Sequence, residues 1–250
     1  MNILVFDTET TSLDKPFCYN IGYVIYDTEC EVILKQADYV VEQVWHNLPL
    51  FQSAYYADKR PLYVSAMKGR MAKMDKFGYI CQQMIRDIRS FEVSSAYAFN
   101  SPFDERVFDF NCDWFKCSNP FDLIPIFDIR GYAHSFICND EKYTQFCEEH
   151  QLFTDSGNYS STAEAVFKYI SGQVDFEEEH TALSDSIIET EILLRAVENG
   201  AELEQTYPTK QSLAREVERE LNIVRNKEVI ASFNYKKLTI NKERTKITLK

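Results

Sequence analysis

The chain has 250 residues, 45% of them hydrophobic and 26% charged, with a formal net charge of -12. That length supports one substantial core, and the acidic balance argues against a protein that coats nucleic acid by bulk electrostatics. The opening MNILVFDTET lacks the basic region and long apolar stretch of a leader peptide, and no apolar run approaches the roughly 18 residues of a membrane helix, so a cytoplasmic protein with no membrane partner is expected.

Ile3 to Phe6 predict a first strand that runs straight into Asp7 and Glu9. Two further β-rich runs, 21–26 and 31–41, follow across short links and suggest an antiparallel meander. Residues 45–61 have weak periodicity and two prolines and read as a long irregular connection. Helical spacing returns over 64–74 and 77–88, where Ile80, Met84 and Ile88 recur every fourth residue. A fourth strand at 93–99 ends at Asn100 and meets a helix through Phe103, Val107, Phe108 and Phe110. A fifth strand is expected at 123–127, then helices at 143–149 and 161–170. The second of these carries a capping box at Ser161 to Glu164, with Gly172 just past its end. A further helix spans 181–197, with Gly200 as its stop. This order predicts an α/β fold with a mixed sheet.

Charge and cysteine usage add two expectations. Residues 206–250 hold eleven Lys/Arg against five Glu, leaving -18 for the remainder. They read as a basic extension, with a helix over 209–221 and a β-hairpin over 229–249, appended to a domain spanning 1–205. Its expected uses are nucleic-acid contact, docking to a polymerase, or self-association with the acidic body of another copy. Seven cysteines without a CxxC pair signal neither a zinc knuckle nor a disulfide framework, and reduced, packing cysteines are expected.

Three short segments carry the chemistry. Acids at i and i+2 on a strand point to one face, so Asp7 and Glu9 can bind one ion together. Asn100-Ser101-Pro102-Phe103-Asp104 places an acid just past the fourth strand, where sites in open α/β sheets gather. His180-Thr181-Ala182-Leu183-Ser184-Asp185 places another at the start of the long helix. Singly, Asp104 and Asp185 read equally well as first-turn acids favoured by the helix dipole.

In order and context these segments resemble the DEDDh group of 3′-to-5′ exonucleases, the group of the epsilon proofreading subunit, ribonuclease T and oligoribonuclease. Asp7-Thr8-Glu9 carries the first motif, Asn100 to Asp104 the second, His180 with Asp185 the third. A related subgroup has a tyrosine four residues before the last acid; here that position is Thr181, which places the chain on the histidine side. On a helix, His180 and Asp185 would stand about 140° apart. The histidine is therefore expected on the lead-in loop, reaching a metal-bound water and not sharing the ligand face.

The resemblance implies a ribonuclease H-like mixed five-stranded sheet flanked by helices, and a single-stranded substrate with a free 3′ end, DNA taken over RNA, released as 5′ mononucleotides. Four carboxylates suit hard cations, so two Mg²⁺ or Mn²⁺ ions are expected on Asp7, Glu9, Asp104 and Asp185, with Asp7 bridging and His180 as general base. The resemblance further places Thr8, Thr10, Leu13, Asn100 and Phe103 around the terminal nucleotide. Glu177 to Glu179 read first as a solvated loop; beside His180 they would also raise its pKa while bound metals lower it, giving an alkaline optimum with a histidine limb. Two alternatives stand beside this reading: an aspartate-nucleophile phosphatase, which would need a later GDxxxD pair that this sequence lacks, and a nuclease-like module that only binds nucleic acid or a polymerase, which has no evident need of all five residues.

Overall fold

β1, Asn2–Thr10, lies between β2, Cys18–Asp27, on one side and β5, Val93–Ala98, on the other, antiparallel to the first and parallel to the second. β3, Val32–Val41, continues the antiparallel meander. β6, Ile126–Asp128, adds in parallel to β5, and β4, Lys73–Asp75, in parallel to β3. The sheet order is β4-β3-β2-β1-β5-β6. Its five-strand part, β3-β2-β1-β5-β6 with β2 reversed, is the ribonuclease H-like arrangement, and β4 makes the sheet six-stranded instead of five. The computed structural model describes residues 1–209; the helix and hairpin expected in the tail lie outside the described residues.

Helices cover both faces. α4, Phe77–Ser90, and α5, Ser101–Phe115, pack one side, and α6, Ile129–Ala133, α7, Glu141–Glu149, α8, Ala163–Ser171, and α9, Ala182–Glu198, pack the other. Strand alternation divides β1 between them: Leu4 and Phe6 enter the first core layer, Ile3 and Val5 the second. Among the described residues no helix is long and apolar enough to cross a membrane.

Three expectations are corrected. The region 45–61 is only partly irregular: between turns at 46–47 and 52–56 it holds the end of α1, Glu42–Trp45, α2, Leu48–Phe51, a 3₁₀ turn at Ala57–Lys59, and the start of α3, Arg60–Lys68. Its prolines sit in first turns, where a missing N–H costs nothing, so they start helices here. The helix expected over 64–74 stops at Lys68. Arg70 takes a left-handed φ of 59°, and Lys73–Asp75 pairs with Tyr39–Val41, so strand pairing overrides helical periodicity. The cap of α8 is Thr162, not Ser161; it accepts from the Ala165 N–H at 3.2 Å, while Glu164 pairs with Lys168 at 2.7 Å. Gly172, at φ 71°, ends that helix as expected.

Candidate active site

The alternation that splits the core also builds the acidic strand end. Asp7 and Glu9 share the face of β1 that α9 covers, and Thr8 points the other way, toward α5. There the Thr8 hydroxyl donates to Asp104 Oδ1 at 2.6 Å, fixing a carboxylate that sits 2% exposed in the first turn of α5. On the opposite side, α9 presses its first turn against β2 at Gly22. A Cβ at Gly22 would collide with the Ala182–Leu183 backbone, and Ser186 Oγ donates to the Gly22 carbonyl at 3.0 Å. Buried Asn20 completes the joint: its amide donates to Asp38 at 2.6 Å and to the Tyr39 carbonyl, and its oxygen accepts from the Ala182 N–H at 2.8 Å. Asp185 is thereby delivered from the first turn of α9 to the end of β1.

His180 stands one residue before the cap Thr181, with a left-handed φ of 54°. It is on the lead-in, as expected, but lies closer to the acids than its angular offset suggests. Ligating atoms of Glu9, His180 and Asp185 fall within 4.8 Å of one another, so the histidine can join a ligand set. The ring stacks on Tyr56, with centroids 4.1 Å apart and planes 13° from parallel. Tyr63 donates to the His180 carbonyl at 3.2 Å, and Glu178 Oε2 lies 3.7 Å from Nδ1.

Four carboxylates gather with the histidine, and each is hard to ionise. Burial holds Asp7 well above the usual carboxylate range, with Asp104 adding to the shift; Asp7 retains some solvent access, yet its carboxyl stands in densely packed surroundings. Burial, then Asp7 and Asp185, raises Glu9, against a 3.3 Å hydrogen bond from the Tyr19 hydroxyl. Asp104 is pushed up to about 7 by burial, against the hydrogen bond from Thr8. Asp185 is pushed up to about 9 by burial and then by Asp7 and Glu178. No ion pair among the described residues engages any of the four. An all-oxygen donor set, dense in negative charge and lacking a partner cation, fits hard divalent ions such as Mg²⁺ or Mn²⁺.

The histidine's surroundings differ from expectation. Burial, then Lys59, lowers the His180 pKa below its ordinary value, and the acidic triplet does not dominate. Glu177 and Glu179 are solvated, but Glu178 turns inward and is itself pushed up to about 7 by burial and Glu164. It carries only part of a charge near neutrality, which weakens its pull on the imidazole.

Further acids were not foreseen. Glu189, 4% exposed and one helical turn beyond Asp185, is raised by burial and by Asp7 and Asp104, and accepts from the Phe99 N–H at 3.1 Å. Its i+4 spacing from Asp185 was the available signal. Asp128, at the end of β6, accepts from the Asn100 N–H at 2.8 Å and holds that residue at a left-handed φ of 65°.

The nucleotide-contact residues fare unevenly. Leu13 is 75% exposed on the loop after β1, open for an apolar contact. Thr10 is half-buried, and its hydroxyl reaches the Ser12 carbonyl at 3.5 Å. Asn100 is exposed beside the Asp104 turn. The Thr8 hydroxyl is buried and donates to Asp104, so its side chain supports a carboxylate, and a contact to a nucleotide would fall to its backbone. Phe103 is half-buried against the first core layer, with the Arg106 guanidinium 5.4 Å over its ring.

No protein-family model matches the chain, and no curated protein does. Solved structures similar to it include two exonucleases. The nuclease domain of 3′hExo, a DEDDh family member, bound to rAMP, is 14% identical, with a TM-score of 0.48 over 81% of this chain and 94% of its own. E. coli Exonuclease I in complex with a dA16 oligonucleotide is 13% identical, with a TM-score of 0.44 over 78% of this chain and 40% of its own. Neither likeness assigns this chain to a family.

Proposed function

We propose that the protein is a metal-dependent 3′-to-5′ exonuclease that shortens single-stranded nucleic acid to 5′ mononucleotides. The observation that carries this reading is the meeting of Asp7, Glu9, Asp104 and Asp185 with His180 at one strand end, where no ion pair among the described residues offsets the four acids. Polarity and product rest on the resemblance of the three motifs.

Bound to these carboxylates, divalent ions would acidify a water and draw charge from the phosphate oxygens. The chain's own residues do the rest. Its lowered pKa keeps His180 neutral at physiological pH, so the imidazole can accept the proton of an attacking water, while Tyr56 and Tyr63 hold the ring and its backbone in place. Thr8 orients Asp104, and Asn20 with Gly22 fixes the turn that bears Asp185. Leu13 and Asn100 flank the entrance and meet the terminal nucleotide.

The test uses end-labelled single-stranded DNA and RNA with Mg²⁺ or Mn²⁺, read as a ladder. Stepwise shortening from the 3′ end that vanishes with chelator and in Asp7→Asn is expected, and cleavage of neither polymer would sink the reading.

A further inference from the structure

The carboxylate site leaves a second cluster of reactive side chains unused. Cys81 on α4 and Cys112 on α5 are buried and Cys117 is half-buried, and their three sulfurs lie within 4.8 Å of one another. Sequence spacing hides this cluster, because Cys81 comes from a different helix and Cys112 and Cys117 are five residues apart.

Local structure explains the meeting. α5 ends at Lys116 in a left-handed conformation, φ 54°, and the turn lets the Cys117 N–H donate to the Cys112 carbonyl at 3.1 Å, bringing the two sulfurs together. α4 packs directly on this turn: a Cβ added at Gly78 would stand in van der Waals contact with the Cys117 side chain, 3.4 Å from its Cβ. Cys81 is three residues on from Gly78 and shares its face, so it looks at the same spot.

Three sulfurs held about 2.3 Å from one ion in a plane are about 4 Å apart, so the observed cluster needs to contract by less than about 1 Å. All three are free thiols, and the cluster contains no oxygen or nitrogen ligand. Thiolates alone select soft ions and not the hard cations suited to the carboxylates. Cys117, at the rim, offers a way in from solvent and room for a fourth ligand. Cys112 lies eight residues beyond Asp104, about 12 Å along the same helix, so the two sites are distinct.

We propose that Cys81, Cys112 and Cys117 form a thiolate site for a soft d¹⁰ metal ion, monovalent copper or zinc, that clamps α4 to the end of α5. The full-length protein, reduced, stripped of metal and kept anaerobic, is titrated with Cu⁺ or with Zn²⁺ under excess Mg²⁺. Uptake of a single ion with thiolate-to-metal charge-transfer absorption is expected. X-ray absorption should then show three sulfurs around copper, or three sulfurs and one lighter atom around zinc. Cys117→Ser, the least buried of the three, should lose the absorption, while Cys30→Ser, at an exposed position, should keep it. The proposal is overturned if wild-type protein takes up neither ion, if the bound ion has only oxygen and nitrogen neighbours, or if Cys117→Ser leaves the absorption unchanged.

Discussion

Asp104→Asn isolates the electrostatic cost of assembling the acidic site. The side chain keeps its shape, and the amide oxygen can still accept from Thr8, so the principal change is a charge. In the folded protein Asp104 titrates at about 7 against an ordinary 3.8, so the folded state holds a proton that the unfolded state releases. A raised folded pKa contributes stability that is fully present below 3.8 and lost as pH rises toward 7. At about 1.4 kcal/mol per pH unit, the two units between pH 5 and 7 amount to roughly 3 kcal/mol, lost by the wild type and not by the variant. Asp7 is relieved in the same direction, because Asp104 acts on it. Urea denaturation of both proteins in chelator, at pH 5 and pH 8, reads the double difference. The variant should gain on the wild type by about 3 kcal/mol over that interval while losing the proposed nuclease activity. Parallel loss of stability in the two proteins would refute the argument.

Three other substitutions probe the scaffold. Gly22→Ala forces the first turn of α9 off β2; a stability loss of about 1 to 3 kcal/mol is expected by calorimetry, with activity falling more steeply as Asp185 shifts. Tyr56→Ala removes the ring stacked on His180 and opens it to water; since burial is the leading cause of the lowered pKa, that pKa should rise and the acidic limb of the kcat/KM profile move to higher pH, as imidazole NMR would check. Asn20→Ala strands the Ala182 N–H and Asp38 in a buried joint, an expected cost of about 1 to 3 kcal/mol by denaturant titration, whereas an unchanged midpoint would remove Asn20 from the account.

The acids were legible where one local rule placed them. Asp7 and Glu9 follow from strand alternation, and Asp104 and Asp185 from their positions in the first turns of helices taken together with the order of the three motifs. The order of strands and helices carried the sheet, except for β4, a three-residue strand that exists only because β3 is there to pair with it. Residues that act across the fold were not legible. Tyr56 and Tyr63 sit in a region whose prolines mask short helices, and they reach His180 only after that region packs. Asn20 is a polar residue inside an apolar strand, and its purpose becomes visible only when α9 arrives with the Ala182 N–H. The three cysteines likewise meet through helix packing and one left-handed turn, which no spacing encodes.

The lean of α9 on Gly22 also has a kinetic side. Asp7 and Glu9 lie on β1, while Asp185 is carried by α9 and His180 by its lead-in, so closing the site means closing a loop that spans most of the described residues. Contacts of such high sequence separation form late in folding, after the meander and the helices that need only near neighbours. A clipped chain that stops short of Ala182 would keep Asp7, Glu9, Asp104 and His180 but lose Asp185 and the helix that seats it against Gly22. The full set of four carboxylates therefore assembles only once α9 has docked on the sheet.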